Sequence, residues 1–291
     1  VGTIITNMEG PEGIIGMDSE RERLMDRETF DRHVLDMSLE GYTILPNLLT
    51  PEECTEARRE LEKRYPDRER GGLEWLFNKA LIFERLYQLP DLVRLIRHFI
   101  GADALLSAVY GSVVLPGEGG HALHSDGGIT GHNREASMAP ADDGRRVTSH
   151  PMAINVIFCM SEFTDTNGAT EMVPGSHKYE YVDIPERASE QARTAVAPEG
   201  SAVVFDINTW HGATKNQTVR PRYAVLSPWR RRWTKCEYEM ARVVKPDVLE
   251  RAGKEGTIIF GFQAQPPYTE LWQWDRENGG PKPEFAHLKR D

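Results

Sequence analysis

His121-Ala-Leu-His124-Ser-Asp126-Gly127-Gly128 follows the apolar run Ala104 to Leu115 and sets an imidazole and a carboxylate two residues apart. Side chains two apart on a β-strand share a face, so His124 and Asp126 can hold one metal ion while Ser125 points away. A second imidazole comes most readily from His211. It ends the stretch Gly200-Ser-Ala-Val-Val-Phe-Asp-Ile-Asn-Thr-Trp210, whose β-branched and aromatic residues predict a buried strand delivering His211 at its end. Two histidines and one carboxylate, with coordination positions left open, form the usual ligand set of non-haem Fe(II) oxygenases. Eleven residues further on, past the polar turn Lys215-Asn-Gln-Thr218, Arg222 opens another strand-like run, Tyr223 to Ser227. The two runs predict a hairpin.

Outward from this centre the chain divides by texture. Asp26 to Leu39 predicts a short amphipathic helix, with Phe30, Val34, Leu35 and Met37 as its apolar positions, and Tyr42 to Pro46 a strand. Thr50-Pro51-Glu52-Glu53 joins an N-cap, a proline at the first helical position and a glutamate at the capping-box position, ahead of a helix to about Tyr65. Leu73 to Ile100 is a third helical region that Pro90 splits. After Ile100 come short β-rich runs between Gly, Pro, Asn and Asp: Leu105 to Leu115, Met152 to Phe163, Thr170 to Val173, Ala202 to Phe205 and Tyr223 to Pro228. That pattern favours a sandwich or barrel over a doubly wound parallel sheet. Residues 127–150 form a connection too long for a compact domain unless it serves as a lid or is a solvated insertion, and it lies where it could cover a metal.

Composition bounds the function. The chain has 291 residues, 39% of them hydrophobic, enough for one large core, and the simplest organisation is a single domain. A formal net charge of −10 disfavours nucleic acid as a partner. Cys54, Cys159 and Cys236 are odd in number and widely spaced, which predicts reduced thiols in a reducing compartment. No apolar run is long enough to span a membrane, and no secretory signal opens the sequence, so the expectation is a soluble, cytoplasmic protein with no membrane partner.

In the order His-x-Asp, then Asn167-Gly-Ala-Thr-Glu-Met-Val-Pro-Gly-Ser-His177, then a distal His with Arg eleven residues later, the chain resembles the phytanoyl-CoA dioxygenase family of Fe(II)/2-oxoglutarate oxygenases. The resemblance runs from about Gly41 to Trp233. It implies a mainly β fold with flanking helices, the β-rich part closing into a double-stranded β-helix, a jelly-roll, cupin-like core. Within a single oxygenase domain over 1–291 it gives an irregular arm (1–25), a helical part (26–100), the jelly-roll core (101–233) with the lid loop 127–150, and a C-terminal segment (234–291) beside the active site.

It also implies roles. His124, Asp126 and His211 would hold Fe(II). Arg222 would pair with the distal carboxylate of 2-oxoglutarate, since a guanidinium presents a planar fork that matches a carboxylate; Arg220, of the same strand parity, is the second choice. Thr170 would give the cosubstrate a hydroxyl hydrogen bond. His121 stands where many members have a cosubstrate-contacting Gln, and Ala213 where Ser or Thr often assists. His177 resembles a turn residue rather than a ligand. Trp233, Trp272, Trp274 and Phe262 are the aromatic positions that could meet substrate, each as readily explained by packing.

The chemistry so implied consumes O2 and 2-oxoglutarate, releases succinate and CO2, takes ascorbate as an optional reductant, and hydroxylates, desaturates or cyclises at an unactivated C–H bond. Asp126 occupies the position that related halogenases leave as Gly or Ala, so halogenation is not expected. The long loop and the tryptophan-rich C-terminus favour a small, partly apolar molecule and a natural-product tailoring role. The alternatives are an acyl-CoA hydroxylase, with Arg145, Arg146 and Arg230 to Arg232 meeting phosphates, or a cupin-like protein that binds metal or a small molecule without oxygen chemistry. The oligomeric state has no signal in the sequence.

Overall fold

Capping chemistry written into the sequence starts the first helices. In the computed structural model, which describes residues 24–127, 145–147, 151–181, 184–262, 274–275 and 280–283, α1 (Arg27–Glu40) begins where the Asp26 carboxylate accepts from the Thr29 amide at 2.9 Å. It ends at Gly41, whose φ of +86° only glycine adopts at no cost. The strand β1 (Tyr42–Leu45) leads to α2 (Pro51–Arg64), which carries the complete capping box: Glu53 N–H donates to Thr50 Oγ1 and Thr50 N–H to the Glu53 carboxylate. The third helical region is broken more often than a single proline requires, into a 3-10 turn at Leu76–Asn78, α3 (Leu81–Arg85), a second turn at Leu86–Gln88, and α4 (Pro90–Ile100). Pro90 sits at the helix start, where its missing N–H has no partner to lose.

The strands follow as β2 (Leu105–Leu106), β3 (Tyr110–Val114), β4 (Arg145–Val147), β5 (Ala153–Cys159), β6 (Thr170–Met172), β7 (Tyr179–Tyr181), β8 (Arg193–Thr194), β9 (Ala202–Asp206), β10 (His211–Ala213), β11 (Arg222–Leu226) and β12 (Trp229–Arg230). The helices α5 (Met240–Val243) and α6 (Pro246–Ile259) come last, before a two-stranded piece of β13 (Trp274–Asp275) and β14 (Gly280–Pro281). A seven-stranded antiparallel sheet runs β1-β9-β5-β11-β3, with β12 and β2 attached beside β5. Three further strands form a separate sheet, β10-β6-β8. Among the described residues the strands do not close into a barrel.

Period-two alternation divides the large sheet between two cores. Leu45, Ile154, Val156, Phe158, Ala202, Val204 and Val225 face the helices, in one cluster with Leu61, Phe77, Leu92 and Ile96. Ile157, Cys159, Val203, Phe205 and Ala224 point the other way and pack with Ala169, Met172, Ala195 and Ala197 around the small sheet. The sheet is therefore buried on both sides, which explains why β5 and β9 read as continuous apolar runs rather than as alternating ones. Phe158 is fully buried, and its truncation to Ala would cost about 3–5 kcal/mol.

Two expectations need correction. His211 and Arg222 do not lie on a hairpin: β10 pairs with β6 in the small sheet, while β11 pairs with β3 and β5 in the large one. Their spacing bridges the two sheets. The His124–Asp126 segment is also not a regular strand. His124 makes an isolated antiparallel bridge to His211, and a 3-10 turn begins at Asp126. Of the expected lid, residues 128–144 and 148–150 lie outside the described residues, and β4 pairs with β7. The described C-terminal helices pack in the helical layer through Met240, Val244, Val248 and Ile259. Arg251 ties α6 to the buried Glu84 of α3 at 2.6 Å. Among the described residues no helix is long and apolar enough to cross a membrane.

Candidate metal centre

His124, Asp126 and His211 offer three ligand atoms that all lie within 4.8 Å of one another. His124 Nε2 stands 3.5 Å from Asp126 Oδ1, His211 Nε2 stands 3.4 Å from Asp126 Oδ2, and the two imidazoles are 4.3 Å apart between centroids. Backbone carbonyls orient both rings. His124 Nδ1 lies 2.9 Å from Ala122 O and His211 Nδ1 lies 2.9 Å from Thr209 O. A carbonyl only accepts, so each Nδ1 carries the proton and each Nε2 turns its lone pair to the centre, the tautomer a metal requires. Burial alone would push the Asp126 carboxyl up, but in the metal-free protein, where the Nε2 atoms can also carry protons, the facing His211 and His124 rings and the Asn155 amide outweigh it and hold the group below the usual carboxylate range. A divalent metal that prefers nitrogen and oxygen fits this donor set.

The family-like segment from Asn167 to His177 supports this centre from behind. Ser176 Oγ donates to Val173 O at 2.6 Å and accepts from the Trp210 amide at 2.8 Å, fixing the residue before His211. Thr209 Oγ1 donates to Gly41 O at 2.9 Å. A side chain at Gly41 would collide with His177 and Thr209, so glycine is required there for space as well as for its φ. His177 itself is a buried turn residue whose pKa burial lowers to about 4; it is not one of the three clustered ligands.

A cavity of about 540 Å³ opens from the three ligands. Tyr110, Ser112, Asn155, Ile157, Phe205, Arg222 and Leu226 line it from the large sheet, and Thr170, His211 and Ala213 from the small one. His121 lies on its rim, exposed, with its carbonyl accepting from the Ala213 amide at 3.1 Å. Register orders the sheet wall: Arg222 opposite Val114, Ala224 opposite Ser112, and Leu226 between Tyr110 and Ile157, with Asn155 two residues beyond Ile157 beside the metal ligands. Arg222 and the metal ligands therefore occupy opposite ends of one wall.

Arg222 is 5% exposed, and burial pushes its pKa down to about 10, which leaves it charged at neutral pH. Its Nε and Nη2 donate to Gly168 O at 3.2 and 2.8 Å, and the guanidinium lies over the Phe163 ring. Among the described residues no carboxylate faces it. Gly168 presents that carbonyl from a turn with φ +81°, braced where Asn167 Oδ1 accepts from the Thr164 amide. Arg220, by contrast, is exposed in the preceding turn.

The structure thus brings together His124, Asp126, His211, Arg222, Thr170 and His121. It does not bring Trp233 or Phe262 to the cavity: Trp233 is 72% exposed, and Phe262 is half-buried against the helical core. Trp272 lies outside the described residues, as does the Trp274 side chain. The sequence reading missed Tyr110, Ser112 and Asn155. Asn155 had a signal, being the one polar residue in Ala153-Ile-Asn-Val-Ile-Phe-Cys159, and its Nδ2 donates to Asp126 Oδ2 at 2.7 Å.

Comparison with known proteins places this geometry. The dioxygenase af480 of Aspergillus fumigatus is 28% identical over 227 residues, 72% of this chain and 68% of that protein. The dioxygenase cdmD of Talaromyces verruculosus is 31% identical over 112 residues, 38% of this chain, so the match spans about a third (34%) of its length. Among solved structures, the epimerase SnoN, determined with Fe3+, alpha ketoglutarate and nogalamycin RO, shares the fold at a TM-score of 0.56 and 16% identity, over 70% of this chain and 84% of that one. The sequence pattern of the phytanoyl-CoA dioxygenase (PhyH) family matches residues 37–224, a span that takes in all three clustered ligands and Arg222, and the chain belongs to that family.

Proposed function

We propose that this protein is an Fe(II)/2-oxoglutarate-dependent oxygenase that hydroxylates, or desaturates or cyclises at, an unactivated C–H bond of a small, partly apolar molecule, with release of succinate and CO2. One observation carries the reading. A buried, charged arginine with no carboxylate partner among the described residues shares a cavity with a two-histidine, one-carboxylate cluster. An isolated buried charge is costly, so such a guanidinium implies an anionic partner that arrives with a ligand. A metal site alone has no use for it. A dicarboxylic oxo acid that meets the metal at one end and Arg222 at the other satisfies both, with Thr170 on the facing sheet as a further donor. The two facing sheets are accordingly read as the double-stranded β-helix of this class.

Iron and the oxo acid would supply the activation of dioxygen. The chain's part is to hold the metal with His124, Asp126 and His211, to neutralise the distal carboxylate with Arg222, and to exclude water with the walls around both. The wall between the metal ligands and Arg222 mixes apolar Ile157, Phe205 and Leu226 with the hydroxyls of Tyr110 and Ser112, which suits a compact molecule carrying few oxygens. The basic run weighs against the acyl-CoA alternative. Arg230 is fully buried against Glu237 and Ser107, and Arg231 donates to the carbonyls of Pro151 and Phe99. Those guanidinium groups are spent inside the fold. The structural likeness to an epimerase of nogalamycin biosynthesis supports the tailoring role by analogy of fold.

The test loads the protein anaerobically with Fe(II), adds 2-oxoglutarate, and looks for a charge-transfer band, then admits air and measures succinate. Band and succinate are expected, both lost in Asp126→Ala. If neither forms with a broad substrate panel, the protein is a metal-binding or small-molecule-binding member without oxygen chemistry.

A further inference from the structure

Asn155 faces the cavity from β5, opposite Phe205 in the register and in step with Ile157. At a sheet position among such neighbours, leucine would extend the apolar core and need no partner. Asn155 instead places Nδ2 on Asp126 Oδ2 at 2.7 Å and leaves its Oδ1 buried with no partner among the described residues. Reversing the amide would set its carbonyl oxygen against the carboxylate, acceptor against acceptor, so the orientation is forced. A buried acceptor without a donor costs about 1–3 kcal/mol. The fold retains that cost for one hydrogen bond to a clustered metal ligand.

The bond divides the two oxygens of Asp126. Oδ2 accepts from Asn155 and also stands 3.4 Å from His211 Nε2, while Oδ1 stands 3.5 Å from His124 Nε2 and takes no amide among the described residues, so Asn155 is what makes the two oxygens unequal. We propose that Asn155 is a positioning residue that confines Asp126 to ligation through one oxygen and so keeps a coordination position open. The proposal rests on the Fe(II)/2-oxoglutarate reading. Two histidines and a carboxylate bound through one oxygen leave three positions of an octahedral ion, enough for a chelating oxo acid and dioxygen. A carboxylate free to bind through both oxygens would leave two. Asn155 therefore governs more than affinity: it sets how many positions the oxo acid finds free.

Asn155→Leu, apolar and close in size, tests this. Titration of the apo-protein with Co(II), followed by its d–d absorption, should give an affinity about 10–100-fold weaker than wild type, the usual effect of losing a hydrogen bond to a ligand. The apo-protein's melting temperature should hold or rise, because the orphaned carbonyl is gone. On Fe(II)-loaded protein without oxygen, 2-oxoglutarate affinity read from the charge-transfer band should fall about tenfold or more, the worth of about 1.4 kcal/mol. Asn155→Gln, which keeps the donor, should recover part of both losses, and it carries the same two titrations if the leucine variant does not fold. Wild-type affinities in Asn155→Leu overturn the proposal. So does weaker metal binding with unchanged oxo-acid affinity in the loaded protein, since a purely supporting residue gives that result. A wild-type protein that shows no charge-transfer band sinks the oxygenase reading instead, and the Co(II) titration then decides Asn155's hold on Asp126 by itself.

Discussion

Arg222 and Arg230 begin and end one short stretch of the large sheet, and both are buried, yet their surroundings differ in kind. Arg230, with no exposed surface, donates from Nε to Ser107 Oγ at 2.9 Å and from Nη2 to Glu237 at 2.8 Å. Glu237 in turn donates its amide to Ser107 Oγ, so the arginine clasps the segment after β12 to the strand before β3. Arg222 meets a carbonyl and an aromatic ring, with no opposite charge among the described residues. A buried cation with a carboxylate completes the fold. On the proposed function, one without a carboxylate is completed by a ligand. Sequence alone could not draw this distinction, because each arginine sits in a strand-like run beside aromatic residues.

The comparison breaks most directly at Arg222. Replacement by Met should weaken 2-oxoglutarate binding by about 100-fold or more, the usual range for removing one side of a buried charge pair, with Co(II) affinity unchanged. Stability of the apo-protein should stay level or rise by about 1 kcal/mol, since an unpaired buried charge is removed. Arg222→Lys retains the charge without the planar fork and should fall between wild type and Met in the same titration. A methionine variant that binds the oxo acid normally would show Arg222 to be a structural arginine after all.

Arg230→Met should do the reverse. Glu237 is partly exposed and can hydrate, but Ser107 loses a donor and the clasp opens, so unfolding by urea should be easier by about 2 kcal/mol. Oxo-acid affinity should be unchanged in whatever fraction is folded. An effect on binding larger than on stability would return the basic run to the ligand-binding surface.

A third buried group, neutral rather than charged, gives a smaller effect. Burial holds the His177 pKa at about 4, below its ordinary 6.5, so the folded state binds fewer protons than the unfolded state between those values. Stability from this residue is complete above about pH 6.5 and is lost as pH falls toward 4, by about 1–2 kcal/mol once relaxation is allowed for. Urea unfolding at a series of pH values should be steeper in that window for wild type than for His177→Gln. Equal slopes would mean that His177 is hydrated in the native state.

What could be read from the sequence follows the range of the forces involved. The Thr50 capping box, the Asp26 cap and the start of α4 at Pro90 are local chemistry and lay open to a reading of neighbouring residues. The His124, Asp126 and His211 cluster was legible because spacing and residue type restrict it together. The supposed hairpin from His211 to Arg222 was not, because which sheet a strand joins depends on partners such as Thr170–Met172 and Tyr110–Val114, far away in the chain. Asn155 was visible as a polar interruption of an apolar strand, but its partner lies 29 residues away, across a stretch no local rule spans.

The smallest expected effect is the sharpest test of the comparison, because Arg220 is what the sequence offers as an alternative to Arg222. It precedes Arg222 by two residues, carries the same charge and has the same strand parity. Its backbone is already committed: the Arg220 carbonyl accepts from Asn216 Nδ2 at 2.9 Å and from Thr218 Oγ1 at 3.1 Å, closing the turn without its side chain. That side chain is exposed, so its charge acts through water and is screened within about 10 Å at ordinary salt. Arg220→Lys should therefore change 2-oxoglutarate affinity less than about twofold, and Arg220→Ala should lower it only slightly, by an amount that disappears in high salt. Titrating both variants beside Arg222→Lys under one set of conditions makes the comparison quantitative. If Arg220→Lys proves the more damaging, burial has misidentified the anion's partner, and the turn at 215–220 must close over the cavity when the ligand binds.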